Sequence, residues 1–255
     1  MLTLNNNTTV VITGAGAVEN SWKPVLNALK PFVNLDLTPD MANSYLARLV
    51  YSVRWAFNEN IALEIKKKYL AHLNEVKKSI CFEIEKSQRT NEITTNSFFL
   101  EIVSSLRLVP SKKFSFINTN WDTTIDKTLS NLLSKDLDFP SFHIHGKYLE
   151  HSSMYLPSET INELYRDIEA NNLIANNHLQ MINYIKQAES IILYGISLSA
   201  LDIELCHILS IGLENGNLRE AIIIDKDPPT VEGRFKMLLS NPYDIEIKKV
   251  AININ

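Results

Sequence analysis

Val10-Val11-Ile12-Thr13-Gly14-Ala15-Gly16 decides the fold of this chain. Consecutive β-branched residues read as a short buried strand, and the glycines after them read as a tight turn. A helix follows: Ser21 and Pro24 fit its start, Val25, Leu26 and Leu29 form its apolar stripe, and Pro31 closes it. Further short apolar runs lie at 114–117, 142–144, 191–194, 221–224 and 245–250, joined by short helices. Six strands alternating with helices predict an α/β fold, a doubly wound, mostly parallel six-stranded sheet with right-handed crossovers.

The connection after the first strand is unusually long. From 38 to 108 the periodicity is helical: Thr38-Pro39-Asp40 is a cap followed by proline, and Leu46, Leu49, Val50, Val53 and Phe57 recur at helical spacing. A second helix is expected over 59–85 and a third over 97–108, with the Asn/Thr-rich stretch 90–96 as a loop. The expectation is one domain, 1–255, with a helical insertion at about 34–110.

Bulk properties narrow the function classes. Net charge is −4 and the basic residues are dispersed, the densest run being Lys66-Lys67-Lys68, so direct nucleic-acid binding is not expected. Cys81 and Cys206 are the two cysteines, too few for a four-cysteine zinc site, and both read as buried thiols. The start, 1–9, is polar and lacks the features of a signal peptide, and no apolar run reaches bilayer length; a cytoplasmic setting without a membrane anchor is expected.

Residues just past the carboxyl ends of strands line the ligand crevice of open α/β sheets. Four of the seven glycines, Gly14, Gly16, Gly146 and Gly195, stand at such ends, which suggests close backbone approach to a ligand. Gly14-Ala15-Gly16 fits a phosphate cradle or a plain strand-to-helix turn; Glu19 stands where a dinucleotide fingerprint needs its third glycine. Thr119-Asn120-Trp121-Asp122 ends the second strand, and Asp122 also suits the start of a helix at 123–133. His143-Ile144-His145-Gly146 ends the third, with both histidines on one strand face. Gly195-Ile196-Ser197-Leu198-Ser199 follows the fourth, where Ser199 and Asp202 match a capping-box-like pattern before a helix at 201–214. Asp225-Lys226-Asp227-Pro228 follows the fifth; Asp225 suits a ribose contact or ordinary turn chemistry.

Taken in order, these motifs resemble those of the sirtuin superfamily, NAD-consuming proteins with a Rossmann-like fold, over roughly 8–33 and 112–250. The resemblance implies NAD contacts by Gly14, Ala15, Gly16, Thr119, Gly195, Ser197 and Asp225. It also implies ribose positioning by Asn120, carboxamide contact by Asp122 and a general base in His145. Several hallmarks of deacylating sirtuins are missing. There is no four-cysteine zinc module, Thr119 replaces Gln, Val18-Glu19-Asn20-Ser21-Trp22 follows the glycine loop, and Lys147-Tyr148-Leu149 follows Gly146. Thr before Asn, with helices in place of zinc, looks like the bacterial sirtuin-like NAD hydrolases of antiphage defence. That branch implies NAD glycohydrolysis without metal, in an abortive-infection setting. Because uncontrolled NAD destruction would kill a cell, restraint by homo-oligomerisation or by a separate sensor or activator protein is expected, with the helical insertion as the contact surface. A protein deacylase and a non-catalytic NAD or ADP-ribose sensing module are the alternatives, and Trp22 is the candidate aromatic wall of a nicotinamide pocket.

Overall fold

The structure, a computed structural model, describes residues 8–59, 61–107, 114–132, 141–214 and 216–252. Its strands are β1 (Thr9–Thr13), β2 (Val18–Glu19), β3 (Thr94–Thr95), β4 (Phe114–Asn118), β5 (Phe142–His143), β6 (Ser190–Tyr194), β7 (Glu220–Asp225) and β8 (Glu246–Ala251). Its helices are α1 (Lys23–Leu29), α2 (Pro39–Asn58), α3 (Leu63–Arg89), α4 (Ser97–Arg107), α5 (Thr124–Leu132), α6 (Ile168–Gln187), α7 (Ile203–Leu213) and α8 (Pro228–Lys236). The main sheet has the order β5-β4-β1-β6-β7-β8 and every pairing in it is parallel. Renumbered along the chain this is 3-2-1-4-5-6, the Rossmann order, whose direction reverses between β1 and β6.

Period-two alternation sorts the strand residues into two layers. Val10, Ile12, Ile191, Leu193, Ala221 and Ile223 face α6, α7 and α8 through Met181, Ile185, Leu205, Leu209 and Phe235. Val11, Phe116, Ile192, Tyr194, Ile222 and Ile224 face α4 and α5 through Phe99, Val103, Ile125 and Leu129. Each fully buried aliphatic side chain stabilises the fold by about 1.5–3 kcal/mol, which explains why strands buried on both faces read as unbroken apolar runs.

The long connection folds as α1, α2 and α3 around a third core: Leu46, Val50 and Val53 of α2 meet Leu73, Val76 and Ile80 of α3, with Leu29 of α1. Thr38 caps α2 as expected, its hydroxyl accepting from the Met41 amide at 3.3 Å. Other expectations need correcting. The helix expected over 59–85 runs Leu63–Arg89, because its apolar stripe continues through Ile84 to the buried Ser87 and Gln88. Within 90–96, Thr94–Thr95 forms a strand that pairs antiparallel with β2. Short helices were expected between the later strands, yet α6 has 20 residues, started by Asp167 accepting from the Ala170 amide at 2.7 Å. Expectations at 1–7, 108–110 and 133 lie outside the described residues.

Candidate active site

The loops at the carboxyl ends of β1, β4, β6 and β7, with the turn after β5, open onto one cavity of about 800 Å³. Its size suits a ligand site, and it lies beside the reversal of strand order. Gly14, Ala15, Gly16, Thr119, Asn120, Asp122, His145, Gly195, Ser197 and Asp225 all line it. The start of α1 and the approach to α2 close the far side, where Trp22, Leu26 and Leu37 contribute apolar wall.

The two glycine loops do something the sequence did not suggest. Gly14 N donates to Tyr194 O at 2.9 Å and Gly16 N to Gly195 O at 3.0 Å, so neither amide is free to meet an anion. Gly195 has φ +59°, and a Cβ there would lie 2.4 Å from Gly16 Cα. A Cβ on Gly14 would lie 2.6 Å from the Gly195 carbonyl oxygen. Gly14 and Gly195 are thus required where two strand-end loops press backbone to backbone, a packing reason for glycine beside the expected approach to a ligand.

Thr119 and Asn120 are tied to the same junction. The Thr119 amide and hydroxyl both donate to Thr13 O, at 2.9 and 3.1 Å. Asn120 Nδ2 donates to Gly14 O at 3.1 Å, which fixes the amide and leaves its Oδ1 as the acceptor it can offer. Asp122 is buried and accepts from the Thr124 amide at 2.9 Å, the helix-start role of an Asp before α5. Burial pushes its carboxyl above the ordinary value, against the opposing effects of Thr124 and His143. Asp225 is buried, accepts from the Asp227 amide at 3.0 Å, and is likewise raised by burial.

The two histidines part company. His143 lies outside the cavity lining: its Nδ1 pairs with Asn120 O at 2.9 Å and its Nε2 with Asp126 Oδ2 at 2.7 Å. His145 follows β5, and its Nδ1 meets Thr119 O at 3.0 Å. A carbonyl accepts only, so Nδ1 carries the hydrogen and a neutral ring presents an unprotonated Nε2. That Nε2 is 3.3 Å from Asp202 Oδ1 but not aligned as a hydrogen bond, so the contact becomes one of opposite charges when the ring is protonated. Burial alone would lower the pKa of His145; the Asp202 carboxylate, followed by the Thr119 carbonyl and Glu159, outweighs it and raises the pKa.

Asp202 and Tyr155 also line the cavity, and sequence reasoning missed both. Asp202 was read as half of a capping box with Ser199. It does occupy the N-cap of α7, but its side chain makes no capping bond. Tyr155 stacks on His145 with centroids 5.5 Å apart and planes 8° from parallel. Its backbone amide donates to His145 O at 2.8 Å and its carbonyl accepts from Trp121 Nε1 at 2.9 Å. The loop carrying it is strapped to the helices by one buried and one partly buried ion pair. Lys77 of α3 donates to Glu159 at 2.9 Å and to Met154 O at 2.6 Å, and Arg54 of α2 pairs with Glu163. No local pattern marks these contacts, which join residues about eighty positions or more apart.

Among the described residues no group of three or more His, Cys, Asp or Glu side chains is arranged to hold a metal ion, and no helix is long and apolar enough to cross a membrane. Cys81 and Cys206, expected as buried thiols, are partly buried, and burial pushes each thiol to about 11.

No family model matches the chain, and no curated protein matches it. Among solved structures, it is similar to a chain described as "Structural Basis for the Mechanism and Regulation of Sir2 Enzymes". The TM-score is 0.39 and the identity 12%, over 97% of this chain and 87% of that one.

Proposed function

We propose that this protein is a sirtuin-like NAD glycohydrolase that cleaves NAD to nicotinamide and ADP-ribose. The observation that carries the reading is the convergence of Asn120, Asp122 and His145, from two separate strand ends, on one cavity at the sheet's reversal point. In the reaction the bond between the ribose anomeric carbon and the nicotinamide nitrogen breaks, and its electron pair leaves with nicotinamide. Positive charge then builds on the ribose as in glycoside hydrolysis, and water adds to the anomeric carbon. Asn120 Oδ1 accepts from the ribose hydroxyls or the water. Asp122 keeps one oxygen on the Thr124 amide and offers the other to the leaving carboxamide. His145 Nε2 takes the proton. Trp22 supplies apolar wall for the nicotinamide, while Gly14, Ala15, Gly16, Thr119, Gly195, Ser197 and Asp225 border the rest of the dinucleotide.

Unrestrained NAD loss is lethal to a cell, so the reading includes control by assembly or a sensor protein, in keeping with a bacterial antiphage effector. The helices α2 and α3 expose Tyr51, Trp55 and Phe82 and are the proposed contact surface. Incubation of the protein with NAD across a dilution series, followed by chromatography and sedimentation, tests both parts. Nicotinamide and ADP-ribose should form in equal amounts without any acylated peptide. Intact NAD at every concentration, together with deacylation of an acyl-lysine peptide, would sink the hydrolase reading.

A further inference from the structure

Asp202 begins α7 but leaves the helix amides alone, which is unusual for a residue type favoured at that position for its capping bond. Its Oδ1 lies instead 3.3 Å from His145 Nε2, across a separation of 57 residues that the strand order β5-β4-β1-β6 closes. The imidazole has little freedom to turn away. Nδ1 is held by Thr119 O at 3.0 Å, one face of the ring lies on Tyr155, and the backbone carbonyl of His145 accepts from the Tyr155 amide. Nε2 is therefore the nitrogen left for chemistry; it is buried, and no hydrogen bond satisfies it.

We propose that Asp202 is a positioning residue that acts through His145, holding the ring's proton on Nε2 until substrate enters and so setting the pH at which this nitrogen becomes a base. The proposal rests on the assignment of His145 as the base. The carboxylate beside it stabilises the imidazolium, whose Nδ1 donates to Thr119 O while its Nε2 stays in charge contact with Asp202. Proton acceptance requires loss of that Nε2 proton, either to solvent as pH rises or when a ligand hydroxyl separates Nε2 from the carboxylate. The other charged or titratable groups around the ring are Tyr155, Glu159 and Arg166 from the loop before α6, His178 from α6, and Glu204 from α7 acting on Tyr155. Glu159 contributes less because it is already paired with Lys77 and Arg166, and His178 is pushed down to about 4, first by burial and then by the charge of His145. Asp202 is thus the acidic group that faces Nε2 without a cation of its own in the described contacts.

The sign follows. Removing the Asp202 charge lowers the pH at which His145 loses its proton, so the acid limb of activity moves down. The test compares wild type with Asp202→Asn and Asp202→Ser, both residue types that favour a helix N-cap and so spare α7. The His145 ring is followed by NMR titration without NAD, its signal assigned among the six histidines with His145→Gln. The expected result is a midpoint lower by about one pH unit in both variants, and an acid limb of kcat/KM for NAD shifted equally. A merely structural role would lower the melting temperature and leave both midpoints in place, and that outcome overturns the proposal. A shifted NMR midpoint with no NAD cleavage under any condition upholds the pairing and rejects the hydrolase reading instead.

Discussion

Two corners of the molecule use the same parts to different ends. At the β4–α5 corner, His143 gives Nδ1 to the Asn120 carbonyl and closes on Asp126 at 2.7 Å. Ser141 and Lys147 share the Asp126 carboxylate, and Asn177 donates to the His143 carbonyl. At the cavity corner, His145 gives Nδ1 to the preceding carbonyl, that of Thr119, but its Nε2 meets Asp202 at 3.3 Å without a hydrogen bond. The first network is complete and lies outside the cavity lining; the second leaves a buried nitrogen of a cavity-lining residue without a hydrogen bond. A satisfied buried network rigidifies, whereas an unsatisfied one keeps an atom available for a ligand. By this comparison His143 and Asp126 hold the Thr119-Asn120 loop, and His145 is left for the role of base that the proposed reaction gives it.

Replacing the two histidines tests the division most sharply. His145→Ala should lower NAD turnover by at least about a hundredfold, the scale of a lost general base, with little change in melting temperature. Asn120→Ala should lose a similar factor. His143→Ala should cost about 1–3 kcal/mol of stability, because Asp126 and the Asn120 carbonyl lose a buried partner, and should retain more turnover than His145→Ala. Inactive His143→Ala protein of normal stability would reverse the assignment of roles.

A smaller effect separates the corners by pH. Burial opposes ionisation of Asp126, but His143 first, then Ser141 and Lys147, hold its carboxyl down at about 2. A carboxylate depressed in the folded state contributes stability above its unfolded pKa and loses it as pH falls through the folded value. The contribution, about 2 kcal/mol, should therefore be present above about pH 4 and vanish toward pH 2. Urea midpoints for wild type and Asp126→Asn should converge as pH falls through that window. A gap that stays constant down to pH 2 would show that the pair contributes no ionic stability. The smallest expected effect is that of chelator: melting and turnover should be unchanged by it, and a collapsed melt with stoichiometric zinc released would overturn the metal-free reading.

Much of this was legible because it is locally encoded. The run Val10-Val11-Ile12 names a buried strand, Thr38-Pro39-Asp40 names a helix start, and scarce glycines at strand ends point to loops that matter. The short strand Thr94–Thr95 was not legible: two residues carry no periodicity, and they become a strand only because Val18 and Glu19 lie opposite. Nor was the length of α6, since its mixed polar and apolar residues gain order from packing on β5 and α7.

What the sequence determined by itself was the set of strand-end loops and the polar residues they carry, since strand, turn and helix signals act over a few residues. Their sharing of one cavity was decided by the strand order β5-β4-β1-β6-β7-β8, which sets the carboxyl ends of β1 and β6 side by side. Asp202 shows the limit most plainly. Read locally it is a helix cap, a complete explanation that leaves nothing to suggest a partner at His145. Only tertiary structure aims that carboxylate, because the successive pairings β5–β4, β4–β1 and β1–β6 set the loops after β5 and β6 at the same end of one sheet, and side-chain chemistry then follows distance in space rather than along the chain.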